Sequence, residues 1–244
     1  MYQAASALSA NARWQEVISE NLSAASVPGF KRTEMSFASM ESGLMPPDAA
    51  KGQKFVLPRA STSTVFSPGE FQPTGNPTNA AIDGRGFFEV QMPGGESAYT
   101  RDGSFSISAT GQLVTKEGYT VVGDGGSIQF DRNTPGEFSI SKDGTVSKGI
   151  DARGRLKVVD FNDTALLNPA GGGYWKADKP GIKVQDIQNP SVRGGFVENS
   201  NTSAVGEMVS MIHAMRLFEA NQKVIQAQDE RMGKTISELG SATP

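Results

Sequence analysis

The sequence predicts an α+β protein in which N- and C-terminal helices pair as a coiled-coil-like helical domain, with an antiparallel β-rich domain inserted between them. Three observations predict it. Both terminal stretches carry apolar residues at alternating three- and four-residue steps, the period of an amphipathic helix. The middle of the chain is cut into short alternating runs by glycine and proline, as strands joined by turns are. Asp-Gly pairs at 83–84, 102–103, 124–125 and 143–144 punctuate those runs, and such pairs accept the backbone angles of tight turns.

Residues 1 to about 26 form the first helix, with no internal Gly or Pro. Val27-Pro28-Gly29 stops it, because proline restricts the residue before it and cannot donate to the helical ladder. Its apolar seam runs Met1, Ala4, Leu8, Asn11, Gln15, Ile18, Leu22, Ala25. Polar Asn11 and Gln15 interrupt that seam and fix its register at some expense in stability. Residues 33–202 are β-rich. Within them, about 39–80 reads as an extended, loop-rich segment with a few edge strands, broken by Pro46, Pro47, Pro58, Pro68, Pro73 and Pro77. Strands follow at 87–92, 104–108, 112–115, 119–122, 127–130, 137–140 and 156–161, and Phe87, Phe88, Tyr99, Phe105 and Ile107 are expected in the core. A second helix spans about 203–239 and is closed by Gly240 and Pro244. Its seam is Met208, Met211, Met215, Phe218, Gln222, Ile225, Asp229, Met232, Ile236, Leu239. Residues 1–32 and 203–244 thus make one helical assembly domain, and 33–202 the β-rich domain.

The 244 residues suffice for one large or two small domains, and 37% hydrophobic content supports a packed core. A net charge of -3 without a basic patch speaks against nucleic acid as a partner. The adjacent pair Lys31-Arg32 reads as a solvated helix end. With no cysteine and one histidine, the sequence is read as excluding a disulfide framework, Cys-based metal sites, the usual zinc sites and His-based triads. That histidine, His213, sits among Met211, Ile212 and Met215 and is expected to be partly buried and structural. Asp124-Gly125-Gly126-Ser127 lacks the Lys-Ser/Thr of a phosphate loop. Asp160, Asp163, Glu198 and Glu207 could supply a carboxylate pair, but no spacing singles out two of them. No catalytic, cofactor or metal residue is assigned, and no small-molecule substrate. No stretch reaches 18 apolar residues, so no membrane insertion is expected. Met1-Tyr2-Gln3-Ala4 opens the chain without the basic start and apolar run of a secretory signal, so export without a cleaved leader is expected.

A lone pair of such helices is marginal, since the ordering of its backbone consumes most of what its seams can bury. Packing against neighbouring molecules supplies the remainder. The candidate subunit-interface residues are therefore Leu8, Ile18, Leu22, Met208, Met211, Met215, Phe218, Ile225, Met232, Ile236 and Leu239. Methionine suits that task because it adapts to unlike neighbours.

Several runs resemble the flagellar rod and hook proteins. Asn21-Leu22-Ser23 through Gly29-Phe30-Lys31-Arg32 is similar to that family's helix end and Gly-Phe-Lys signature. Thr74-Gly75-Asn76-Pro77, then Ala81-Ile82-Asp83-Gly84 to Val90, Tyr99-Thr100-Arg101-Asp102-Gly103-Ser104-Phe105 and Gly111-Gln112-Leu113-Val114-Thr115 continue the likeness. Glu198-Asn199-Ser200-Asn201, Glu207-Met208-Val209-Ser210-Met211-Ile212 and Phe218-Glu219-Ala220-Asn221 complete it. Length and the stretch Val122–Gly126 are most similar to the proximal-rod branch, with the distal-rod branch next. The resemblance implies a non-enzymatic, self-assembling subunit of the basal-body rod crossing the periplasm. Its implied partners are copies of itself, other rod subunits and the flagellar type III export apparatus. From the residues alone, a β-rich extracellular binding module or adhesin and a two-carboxylate hydrolase remain the alternatives.

Overall fold

The computed structural model describes residues 2–42, 55–131 and 135–241. Met1, Pro46, Pro47 and Pro244 lie outside the described residues, as does the side chain of Leu239. The chain forms two compact units, of residues 1–23, 33–64 and 203–244, and of residues 24–32 and 65–202.

The first unit holds two helices and a hairpin. Helix α1 (Tyr2–Ser23) ends where Ser23 Oγ donates to Ser19 O at 2.8 Å, a back-bond that competes with the helical ladder. Strands β1 (Thr33–Ser42) and β2 (Phe55–Thr64) pair antiparallel over their whole length, from Thr33 opposite Thr64 to Ser42 opposite Phe55. Part of the segment at about 39–80, expected to be extended and loop-rich with a few edge strands, pairs in this ribbon, and residues 43–54 of it lie outside the described residues. Alternating Ser, Thr and apolar residues suit a pleated ribbon, and Pro58 is accommodated because a two-stranded ribbon leaves one hydrogen-bonding edge of each strand unused. The ribbon also clusters with the helices, whereas the sequence groups it with the β-rich domain.

The second unit is built from short strands: β3 (Phe71–Pro73), β4 (Ala80–Ile82), β5 (Phe87–Gln91), β6 (Ser97–Thr100), β7 (Ser106–Ile107), β8 (Leu113–Val114) and β9 (Thr120–Gly123). They continue as β10 (Gly126–Ser127), β11 (Phe138–Ile140), β12 (Thr145–Lys148), β13 (Asp151–Arg155), β14 (Val158–Phe161), β15 (Asn168–Gly171) and β16 (Tyr174–Lys176). Last come β17 (Val184–Asp186), β18 (Val192–Gly194) and β19 (Phe196–Glu198), and the chain then enters helix α2 (Ala204–Ser241) of the first unit. The main sheet has ten strands in the order β15-β16-β6-β5-β9-β8-β7, with β14 also on β5, β17 on β14 and β10 on β9. A separate sheet runs β11-β12-β13, and two small ribbons pair β18 with β4 and β19 with β3.

The main sheet is apolar on both faces. Successive strand residues point to opposite sides, so Phe88 and Phe105 enter one core with Val90, Leu113 and Val121, with Ile107 packed beside it. Phe87 and Tyr99 enter another, with Phe161 and Trp175. The residues expected in one core therefore divide between two. The Asp102-Gly103 pair has a packing reason beyond its turn: a Cβ at Gly103 would stand 1.6 Å from Ala80 O.

Helix α2 starts with Ser203 as its cap, whose Oγ accepts from Gly206 N at 3.3 Å, filling one of the open donors of the first turn. Its most covered positions are Glu207, Met211, Ala214, Phe218, Asn221 and Ile225, spaced four, three, four, three, four. Helices α1 and α2 meet where Asn11 Nδ2 donates to Ala214 O at 3.1 Å. His213 is exposed, which corrects the expectation of partial burial. It projects away from the stripe that Met211 and Ala214 occupy.

Candidate functional site

Two features of the chain are unusual enough to carry a role. The first is a buried ionic cluster where the body's entering and leaving segments meet. Gly29 has φ +69, and a Cβ there would lie 2.2 Å from Asp102 N. Only glycine lets this backbone come so close in a left-handed conformation. The approach lets Gly29 N donate to Glu198 O at 2.6 Å and carries Lys31 inward. Lys31 Nζ pairs with Glu198 Oε1, and also donates to Ser67 O at 2.9 Å. Arg101 Nη1 donates to Glu198 Oε2 at 3.3 Å, and its guanidinium lies 5.2 Å from the centre of the Phe87 ring. Gly69 N donates to Glu198 Oε1 at 2.9 Å. The side chains of Lys31 and Glu198 are both fully shielded from solvent. Burial pushes the pKa values of Lys31 and Arg101 down, while Glu198 pulls both up.

Two asparagines make further side-chain to backbone pairings, Asn21 within the first unit and Asn201 within the second. The Asn21 amide pairs with Thr33 as a backbone would, donating to Thr33 O at 2.8 Å and accepting from Thr33 N at 2.9 Å. Asn201 Oδ1 accepts from Arg32 N at 2.7 Å, and Asn201 Nδ2 donates to Val65 O at 2.8 Å and Ser67 O at 3.1 Å. The reading of Lys31 as a solvated helix end is thereby corrected: it is buried, and its charge is met by the Glu198 carboxylate and the Ser67 carbonyl. Nothing local in Phe30-Lys31-Arg32 announces a carboxylate 167 residues away.

The second feature is the outer face of α2. Val205, Met208, Val209, Ile212 and Met215 lie within three turns and are all exposed, Val205 by 73% and Met208 by 54%. Further along, Leu217, Val224, Met232 and Ile236 are exposed too. Helix α2 has 38 residues against 22 in α1, an excess of about 24 Å at the rise of an α-helix. The candidate interface residues divide accordingly. Ile18 is buried; Leu8, Leu22, Met211, Phe218 and Ile225 are half-buried; Met208, Met215, Met232 and Ile236 are exposed. The covered stripe passes through Glu207, Ala214 and Asn221 rather than Met208, Met215 and Gln222, because α1 comes closest over a small residue. Leu239 lies beyond the described side chains.

The four carboxylates that could serve hydrolysis do not converge on a pair. Glu198 is committed to the clasp, Asp160 Oδ2 lies 3.2 Å from Arg85, and Asp163 accepts from Ala165 N at 2.9 Å as a turn cap. Glu207 is buried in the first turn of α2. No group of three His, Cys, Asp or Glu among the described residues could hold a metal ion.

Three family models match the chain. Residues 1–31 match the flagella basal body rod protein model, 81–148 the flagellar hook protein FlgE/F/G D1 domain, and 193–238 the flagellar basal body rod FlgEFG protein C-terminal model. Each matched stretch supplies one member of the clasp: Lys31, Arg101 and Glu198 in turn. Among curated proteins, the chain is 32% identical to the flagellar basal-body rod protein FlgG of Borreliella burgdorferi over 258 residues, covering 96% of each chain. It is also 32% identical to the flagellar basal-body rod protein FlgF of Mesorhizobium japonicum over 246 residues, covering 99% of this chain and 98% of that one. FlgF of Salmonella typhimurium is 31% identical over 250 residues, covering 96% and 95%.

Proposed function

The chain belongs to the flagellar basal-body rod protein family, and from that premise we propose that it builds the shaft by laying the outer face of α2 against the helices of neighbouring subunits. The family is structural and non-enzymatic, located in the flagellar basal body, and its members assemble with other rod components. The observation that carries the reading is the apolar outer face of α2, from Val205 to Met215, which the chain's own α1 leaves uncovered. Apolar area of that extent on a helix is what association between molecules removes from water. In this reading α1 and α2 pair as a short coiled coil within one subunit, with Leu8, Ile18, Leu22, Met211, Phe218 and Ile225 inside. Met208, Met215, Met232, Ile236 and Leu239 then meet other subunits. Identical joints that do not close generate a helical assembly, the geometry of a shaft.

A place in the proximal, periplasm-crossing rod is the preferred assignment. The alignment with FlgF, the proximal type, takes 246 positions to cover 99% of the chain, whereas that with FlgG, the distal type, takes 258 to cover 96%. Delivery through the flagellar type III apparatus belongs to the same reading. The distal rod is the second reading, favoured by the extent of the FlgG matches. Electron cryomicroscopy of isolated basal bodies tests both. Density for this chain in the rod wall next to the membrane ring supports the proximal place, density below the hook supports the distal one, and absence from the axis overturns the assignment.

A further inference from the structure

The stripe of α2 that is covered from Glu207 to Ile225, with its exposed continuation to Met232, contains two kinds of position. Met211, Phe218, Ile225 and Met232 repeat every seven residues and are all large and apolar. They would accept α1 equally well after a slip of one heptad. Glu207, Ala214, Asn221 and Gln228 repeat at the same spacing and are all different, and only Ala214 is small. Ala214 is also fully buried. Opposite it stands Asn11, 3% exposed, whose Nδ2 reaches the Ala214 carbonyl at 3.1 Å. With only a methyl group at Ala214, α1 can come close enough for the short Asn11 amide to reach a backbone carbonyl of α2. The other half of the Asn11 amide, Oδ1, is buried with no hydrogen-bond partner. An unsatisfied buried acceptor weakens a helix pair, and a polar residue in an apolar seam specifies register at a cost in stability.

We infer that Asn11 is the register-setting residue of the subunit: it selects Ala214 among the heptad-equivalent positions of α2 and so fixes where the outer apolar face is presented. It is a positioning residue, acting through the helix pair. Its consequence for assembly rests on the assembly reading above, while the register claim itself does not. A slip of one heptad would shift α1 along α2 by about 10 Å, moving Asn11 opposite Asn221 or Glu207, whose longer side chains would hold the two helices further apart.

The absence of cysteine makes the test clean. Spin labels are placed on exposed sites of each helix through Arg13→Cys and Arg216→Cys, and labelled full-length chains are diluted into unlabelled chains under assembling conditions. Pulsed electron resonance then reads the inter-helix distance. The native sequence should give one narrow distribution. Asn11→Leu should raise the melting midpoint and add a second population displaced by about 10 Å. Asn11→Ala, which lacks the apolar gain, should add the same population without the rise. A native distribution that is itself broad, or variants whose distributions superimpose on it, overturns the inference. If the native chain forms no rods, the assembly reading falls, and the same distances taken on free chains still decide the register.

Discussion

At Glu198 one carboxylate answers two buried cations, so its removal strands both. Glu198→Gln is expected to cost about 3–5 kcal/mol, the range for breaking a buried pair by deleting one partner. Lys31→Met, which keeps the contact of Arg101 with Glu198, is expected to cost distinctly less. Urea unfolding of the full chain compares the two. Gly29→Ala should cost a further ~1–3 kcal/mol, since it combines a left-handed backbone with a Cβ 2.2 Å from Asp102 N. A titration effect belongs at Asp143, where the Ser141 hydroxyl, then the Thr145 hydroxyl and amide, hold the carboxyl at about 2 against a usual 3.8. The folded state favours the anion, so this contribution is complete above the ordinary value and lost as pH falls through about 2. Because Asp143 is exposed the effect on stability is small; NMR titration of its carboxyl carbon should show the low midpoint, and Thr145→Val should raise it.

Helix α2 has two faces at the scale of an element, one packed on α1 and one apolar and exposed. Replacing exposed positions, as in Met208→Glu with Ile212→Glu, should leave the melting of the free chain unchanged and abolish its assembly, read by sedimentation. Ala214→Leu should do the opposite first: it forces α1 outward and costs about 1–3 kcal/mol of overpacking before any assembly is attempted. Much of this was legible in the chain itself. The strand at Phe87–Gln91 is bounded by Gly86 and Pro93, and the helix from Ala204 shows its period plainly. What escaped was long-range. The Thr33–Thr64 ribbon is hidden by its serines, threonines and prolines, since pairing between strands decides whether such polar runs are ordered. Alternating three- and four-residue steps put Met208 and Met215 on the α2 seam with Met211 and Phe218, whereas the covered positions between them include the small Ala214, beside which Asn11 lies. The clasp was invisible for the same reason: Lys31, Arg101 and Glu198 share no local pattern.

The molecule as a whole is two compact units threaded by one chain that passes between them at residues 23/24, 32/33, 64/65 and 202/203. Units with separate cores unfold as separate steps when their coupling is weak. Scanning calorimetry of the free chain is expected to show two transitions, and deletion of residues 1–23 should remove the first while leaving that of the β-body in place. A single transition in the free chain, or loss of the β-body's transition as well on deletion, would mean that the body depends on the helix.

In the assembly proposed above, a pull along the rod would act on the strand ends that leave the β-body. The last of them, β19, is only three residues long and by itself would peel from β3 one bond at a time, the weakest way to pull a ribbon apart. With Glu198 gripped by Lys31, Arg101 and Gly69, and Asn201 hooked to Arg32, Val65 and Ser67, a pull at Thr202 is instead taken up by several stretches of chain at once. They must shear together before any one of them lets go.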